Sequence, residues 1–105
     1  MSDGHARMGR RAEEPLEVEV ELVKERAEAL GRAGRRLEDA VIDYRAALGA
    51  AEGALPAARR DALLDEIAAQ LYRLVLQREC SGARHGNLEA IRAAYDVPAE
   101  AIRRM

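Results

Sequence analysis

The sequence predicts an all-α fold: a long helix, an antiparallel second helix that completes a hairpin, and two short C-terminal helices, bundle-like and dimeric. Three observations carry this prediction. Apolar residues recur at helical spacing for about five heptads from Leu16 to Leu48. A second apolar-periodic segment follows Pro56. The one stretch that alternates like a strand, Leu16 to Leu22, has no second such stretch to pair with, and the heptad passes through it unbroken. A chain of 105 residues is the size of one domain.

Residues 1–14 mix Ser, Asp, Gly, His and Arg without apolar periodicity and are expected to form a flexible tail, which leaves 15–105 as the domain. Pro15 suits a first helical position, where its missing N–H is not needed. From there one apolar set runs Leu16, Val23, Leu30, Leu37, Tyr44, and a companion set four residues on runs Val20, Ala27, Gly34, Val41, Leu48. Ala33, Ala40 and Ala47 widen the stripe, and Gly49 is the expected C-terminal cap. Gly31 and Gly34 each cost about 1 kcal/mol in a helix relative to Ala, so they are expected where another backbone comes close or, failing that, where the helix kinks.

The second helix opens at Pro56 and carries Leu63, Leu64, Ile67, Ala68, Leu71, Tyr72, Leu74, Val75 and Leu76. Near Leu71–Leu76 these cover most of its circumference, which predicts burial nearly all round. Ser81 and Gly82 end it, with a turn over 82–86. Asn87 is a good N-cap for a short helix from Leu88 to Tyr95, with Ile91, Ala94 and Tyr95 as its apolar face. Asp96 and Pro98 restart the chain into a last helix from Ala99 to Met105, whose Arg103 and Arg104 suit the negative end of the helix dipole.

Composition narrows the function classes. Hydrophobic residues make up 49% of the chain but aromatic ones 3%, all tyrosine, so the core is aliphatic. A short chain with such a core is marginal alone, a first pointer to oligomerisation. A net charge of -2 argues against a dedicated nucleic-acid binder and a basic membrane-surface helix. With a single cysteine no intrachain disulfide can form, and no apolar run has the length of a signal sequence or a membrane span. The expected location is the cytoplasm.

At Leu30-Gly31-Arg32-Ala33-Gly34-Arg35-Arg36-Leu37-Glu38, Arg60-Asp61-Ala62-Leu63, Gln77-Arg78-Glu79-Cys80 and Tyr95-Asp96-Val97-Pro98, the chain resembles a family of small bacterial α-helical proteins defined as a domain of unknown function. The resemblance covers residues 15–105. It implies a helical fold in a bacterial cytoplasm and carries over no activity, cofactor or catalytic residue.

The chemistry-bearing residues are sparse. His5, His85 and Cys80 are too few for a structural zinc site, so Cys80 is expected to be a small buried hydrophobe and His85 a loop residue. Ser2 and Ser81, the only serines, have no base beside them, and a Cys80–His85 dyad lacks a third, orienting group. Gly31-x-x-Gly34 lies within a helix, not after a strand, and so is not a phosphate loop. Neither an enzymatic activity nor a cofactor is expected.

Residues 88–105 place Ile91, Tyr95, Val97, Ile102 and Met105 where a helix-turn-helix has its apolar positions, which makes a DNA-associated regulator the alternative reading. Against it, Arg92 occupies a position for a small residue, Asp96 replaces the turn glycine, and few side chains remain to read bases. A two-helix cap over the hairpin is the preferred account. Gln77, Arg78 and Glu79 read as solvated charge at a helix end, with Arg78 a candidate partner for an acidic residue of the first helix.

The long helix offers most to a partner. Its start is acidic at Glu13, Glu14, Glu17, Glu19 and Glu21, and its middle mostly basic at Lys24, Arg26, Arg32, Arg35 and Arg36. Two copies laid antiparallel about Ala27 to Gly31 set acidic start over basic middle. The expected self-association residues are Leu16, Val20, Val23, Ala27, Leu30, Gly31, Gly34 and Leu37. The sequence thus predicts a non-enzymatic helical interaction domain (a scaffold, adaptor or regulatory subunit) that forms a homodimer and engages a protein partner.

Overall fold

The heptad from Leu16 to Leu48 becomes the middle of one continuous helix. The computed structural model describes residues 2–82 and 88–105, with side chains from Glu17 onward. In it α1 spans Ser2–Ala50, α2 Ala57–Cys80, α3 Leu88–Tyr95 and α4 Ala99–Ile102, and no strand occurs among the described residues. The alternating Leu16–Leu22 segment is therefore helical, as its heptad register requires. α1 begins at Ser2, ahead of Pro15, so the proline lies within the helix although it has no N–H for the carbonyl four residues back. With 49 residues α1 is about 74 Å long at 1.5 Å per residue, which accounts for an extent of 79 × 22 × 20 Å.

The link between the long helices is short, so α2 doubles back on α1. The Ala51 N–H still donates to the Ala47 carbonyl at 3.2 Å, so the helix runs past Gly49, and the residue with the left-handed conformation is Gly53, at φ 94°. Gly49 is thus not the cap that its place after Leu48 suggests. Pro56 stands at the N-cap of α2, and its carbonyl accepts from the Arg60 N–H at 2.9 Å. At the far end Ser81 donates its hydroxyl to the Gln77 carbonyl at 2.8 Å, and Gly82 adopts φ 98°, closing the helix where the sequence places its end.

Leu37, Ala40, Val41 and Tyr44 of α1 meet Leu64, Ile67, Leu71 and Leu74 of α2 in a core completed by Ile91, Val97 and Ala101. Burying each large aliphatic side chain contributes about 1.5–3 kcal/mol. α2 does not become buried all round: Tyr72 and Leu76 remain exposed, because α4 covers one flank only and α3 packs on α1. Gln70 is the one buried polar side chain described; its Nε2 donates to Glu66 at 2.7 Å while its Oε1 has no partner.

The C-terminal segment is a cap over the hairpin. α3 ends on a reversal in which the Val97 N–H donates to the Arg92 carbonyl at 3.1 Å and Asp96 takes φ 54°. This is a Schellman closure with aspartate in the left-handed position usually given to glycine, and the residue after it, Val97, packs into the core beside Ile91. Arg45 of α1 fastens the turn, donating to both the Asp96 carbonyl and its carboxylate at 2.8 Å. α4 is shorter than its sequence suggests, ending at Ile102. Gly34 supplies the space for the cap: a Cβ there would lie 2.5 Å from the Tyr95 hydroxyl. A close approach does occur at Gly34, but it is made by the Tyr95 side chain of the same molecule and not by the backbone that the sequence leads one to expect. Gly31 is exposed and meets only the tip of Arg35, at 3.5 Å.

Candidate protein-interaction surface

The apolar seam of α1 has two fates along its length. From Leu30 to Tyr44 it is taken up by α2 and the cap, with Leu37 wholly buried. From Glu17 to Glu28 no other element covers it, and Val20 and Val23 stand 60% and 63% exposed. Val20 and Val23 thus leave a bare apolar ridge along the seam face. Val18 and Leu22 are exposed as well, on the opposite face of the helix.

The ridge is bare for a reason of length. α1 has 49 residues and α2 has 24, so α2 runs out while α1 continues. Gln77, near the end of α2, lines a shallow groove with Leu22, Glu25, Arg26, Ala29 and Arg32 of α1.

The structure divides the predicted self-association residues. Val20, Val23, Ala27 and Gly31 are exposed and available to a partner. Leu30 is partly buried, whereas Gly34 and Leu37 are buried within the chain's own core and cannot meet a second molecule without displacing α2 or Tyr95. The side chain of Leu16 lies outside the described residues. The ridge carries alternating charge: Glu17, Glu19 and Glu21 precede Lys24 and Arg26, and all five are exposed.

A second surface joins α2 to the chain end. Tyr72 and Met105, both exposed, border a shallow concavity with Ala68, Ala69, Asp65 and Arg104. Arg104 is committed there. It donates to Asp65 at 2.9 Å and to Asp61 at 2.7 Å, and these hydrogen bonds, with that to Asp65 the larger influence, raise its pKa above the ordinary arginine value. Arg103 reaches Glu100 at 4.0 Å. Sequence reasoning placed both arginines at a helix C-terminus and missed the carboxylates on α2. Asp61 and Asp65 are spaced i, i+4 on one face, a signal that could have suggested a bidentate partner.

Cys80 is exposed, not the buried hydrophobe expected, because it lies nine residues beyond Leu71 and so on the face of α2 opposite the core. His5 has no described side chain, and His85 and Asn87 lie outside the described residues, so the Cys80–His85 dyad and the Asn87 cap do too. Among the described residues no cluster of three or more His, Cys, Asp or Glu is placed to hold a metal ion, no helix is long and apolar enough to cross a membrane, and no ion pair joins Arg78 to α1. The chain matches no protein-family model, no curated protein and no solved structure.

Proposed function

We propose that this protein is a non-enzymatic helical interaction module, acting in the cytoplasm as a scaffold, adaptor or regulatory subunit, whose docking element is the free face of α1. One observation carries the reading: Val20 and Val23 continue the heptad that is covered from Leu30 to Tyr44, yet stand more than half exposed. A helix in which half an apolar seam is taken up by the chain's own core and half is left bare suits the helix-on-helix mode of recognition. The commitment of Arg104 to Asp61 and Asp65 weighs against a nucleic-acid role for residues 88–105, because it removes a cation that such a role would use.

The test replaces both valines with aspartate, Val20→Asp with Val23→Asp, and compares the proteins captured from the native host with those held by the wild type. Both positions lie outside the packed core, so the circular-dichroism melt of the hairpin should be unchanged. Loss of specific captured chains from this variant, and their retention by Tyr72→Ala, supports the reading. An identical set on all three baits overturns it.

A further inference from the structure

We infer that the ridge takes a second copy of this chain, antiparallel, with Val20 of one molecule beside Val23 of the other. The inference rests on the interaction reading above and names its partner.

Burial removes one arrangement. Two helices crossing about Ala27 to Gly31 would set Val20 against Leu37 and Val23 against Gly34, but both of those residues are buried in the chain's own core. Among the described side chains the stretch of the seam that is exposed is Glu17 to Glu28, and an overlap that uses it is centred near Glu21 and Leu22. Charge then chooses among the remaining registers. With Val20 beside Val23 and position 16 beside Ala27, the residues flanking the seam bring Glu17 against Lys24 and Glu19 against Arg26, and the twofold axis makes each pair twice. A shift by one heptad would set Lys24 against Lys24 and Arg26 against Arg26. A parallel, in-register pair would keep only Glu19 against Lys24. The free stretch is thus self-complementary in one orientation and one register. Its short overlap puts the dimer in the small, reversible class of interfaces.

Sedimentation equilibrium on the full chain reads the association, and exchange of the charges reads the register. Glu19→Lys sets a second cation against Arg26, and Arg26→Glu sets a second carboxylate against Glu19, so each variant alone should associate roughly tenfold or more weakly than the wild type. Mixed in equal amounts, the two variants bring opposite charges together at every such contact and should recover a dimer within about threefold of the wild-type affinity. The circular-dichroism spectrum of each variant should match the wild type, since Glu19 and Arg26 are exposed. A wild-type monomer at about 1 mM, where even a dimer of millimolar dissociation constant is well populated, overturns the inference. So does an Arg26→Glu variant that associates like the wild type, as a parallel pair requires, or a mixture that stays monomeric. If the wild type is monomeric while Val20→Asp with Val23→Asp still loses its captured partners, the second copy is excluded and the interaction reading stands.

Discussion

Gly34 offers the sharpest test of how the cap is seated, because two effects of opposite sign meet there. Gly34→Ala removes the helix penalty of glycine, a gain of about 1 kcal/mol. The new Cβ would sit 2.5 Å from the Tyr95 hydroxyl and 3.4 Å from Cζ, so the oxygen is the obstacle and the ring is at an ordinary distance. Tyrosine cannot withdraw its hydroxyl without moving the ring, and Tyr95 packs against the core. Overpacking of this kind costs about 1–3 kcal/mol, so Gly34→Ala should destabilise the wild type by about 1 kcal/mol net. In a Tyr95→Phe background the clash is gone and the same substitution should stabilise by up to about 1 kcal/mol. The sign therefore reverses, with a coupling of about 2 kcal/mol against the few tenths expected of independent sites. Urea unfolding followed by helical circular dichroism on the four chains of the cycle measures it. Expressed as melting temperature, the single substitution should lower and the paired one raise the midpoint by about 4–8 °C. Gly34→Ala stabilising both backgrounds alike would show that Tyr95 is not seated over Gly34. Gly31→Ala, which meets only an arginine tip, should stabilise in either background by about 1 kcal/mol.

Asp96 bears the strain of a left-handed conformation, so Asp96→Gly should be within about 1 kcal/mol of neutral in urea titration, relief of φ 54° offsetting the exposed pair with Arg45, whereas Asp96→Val should cost more than about 1 kcal/mol; equal effects would refute the closure. Arg104→Met should lower the melting midpoint, and salt at about 1 M, with a screening length of about 3 Å, should shrink the difference between variant and wild type. A pKa raised in the folded state adds stability that is fully present below the unfolded value and is lost only as pH rises through the folded one, so mild alkali should leave this clamp intact; a midpoint difference that vanishes there would refute it. Gln70→Met keeps the side chain's length while removing an unpaired buried oxygen, so it should leave stability unchanged or raise it by about 1 kcal/mol; a loss above about 1.5 kcal/mol would mean the amide holds the helices in register.

The helical architecture was legible because period and punctuation agree. The heptad through Leu37 and Tyr44, the break at Pro56 and the restart at Pro98 each mark a feature that backbone sterics impose locally, and α2 and α3 end close to where those signals put them. The cap was legible at Ile91 and Val97, the apolar positions that its two short helices turn toward the hairpin. Its fastening was not. Arg45 reaches Asp96 across 51 positions and Arg104 reaches Asp61 across 43, and no local pattern marks a pair so far apart in sequence. Gly49 and Cys80 failed for a related reason: each was judged by its neighbours in the chain, while the helix runs past Gly49 to Ala50 and Cys80 falls on the face of α2 turned away from Leu71.

The ridge marks the limit of heptad reasoning most plainly. Leu16, Val23, Leu30 and Leu37 are equivalent in the repeat, and nothing in the sequence distinguishes the apolar positions that a chain buries in itself from those it leaves for another molecule. Packing makes the distinction. α2 has 24 residues, enough for about 36 Å, and the described side chains of α1 beyond that reach, from Glu17 to Glu28, are exposed. Of the residues expected to act as one surface, Val20, Val23, Ala27 and Gly31 are thereby exposed, while Leu30 is partly buried and Gly34 and Leu37 are buried. In the proposed pair the same split moves the crossing point from Ala27–Gly31 back to Glu21–Leu22, where Glu17 and Glu19 oppose Lys24 and Arg26. Length mismatch within one chain thus exposes the seam from Glu17 to Glu28, the stretch whose charges are self-complementary in that pairing.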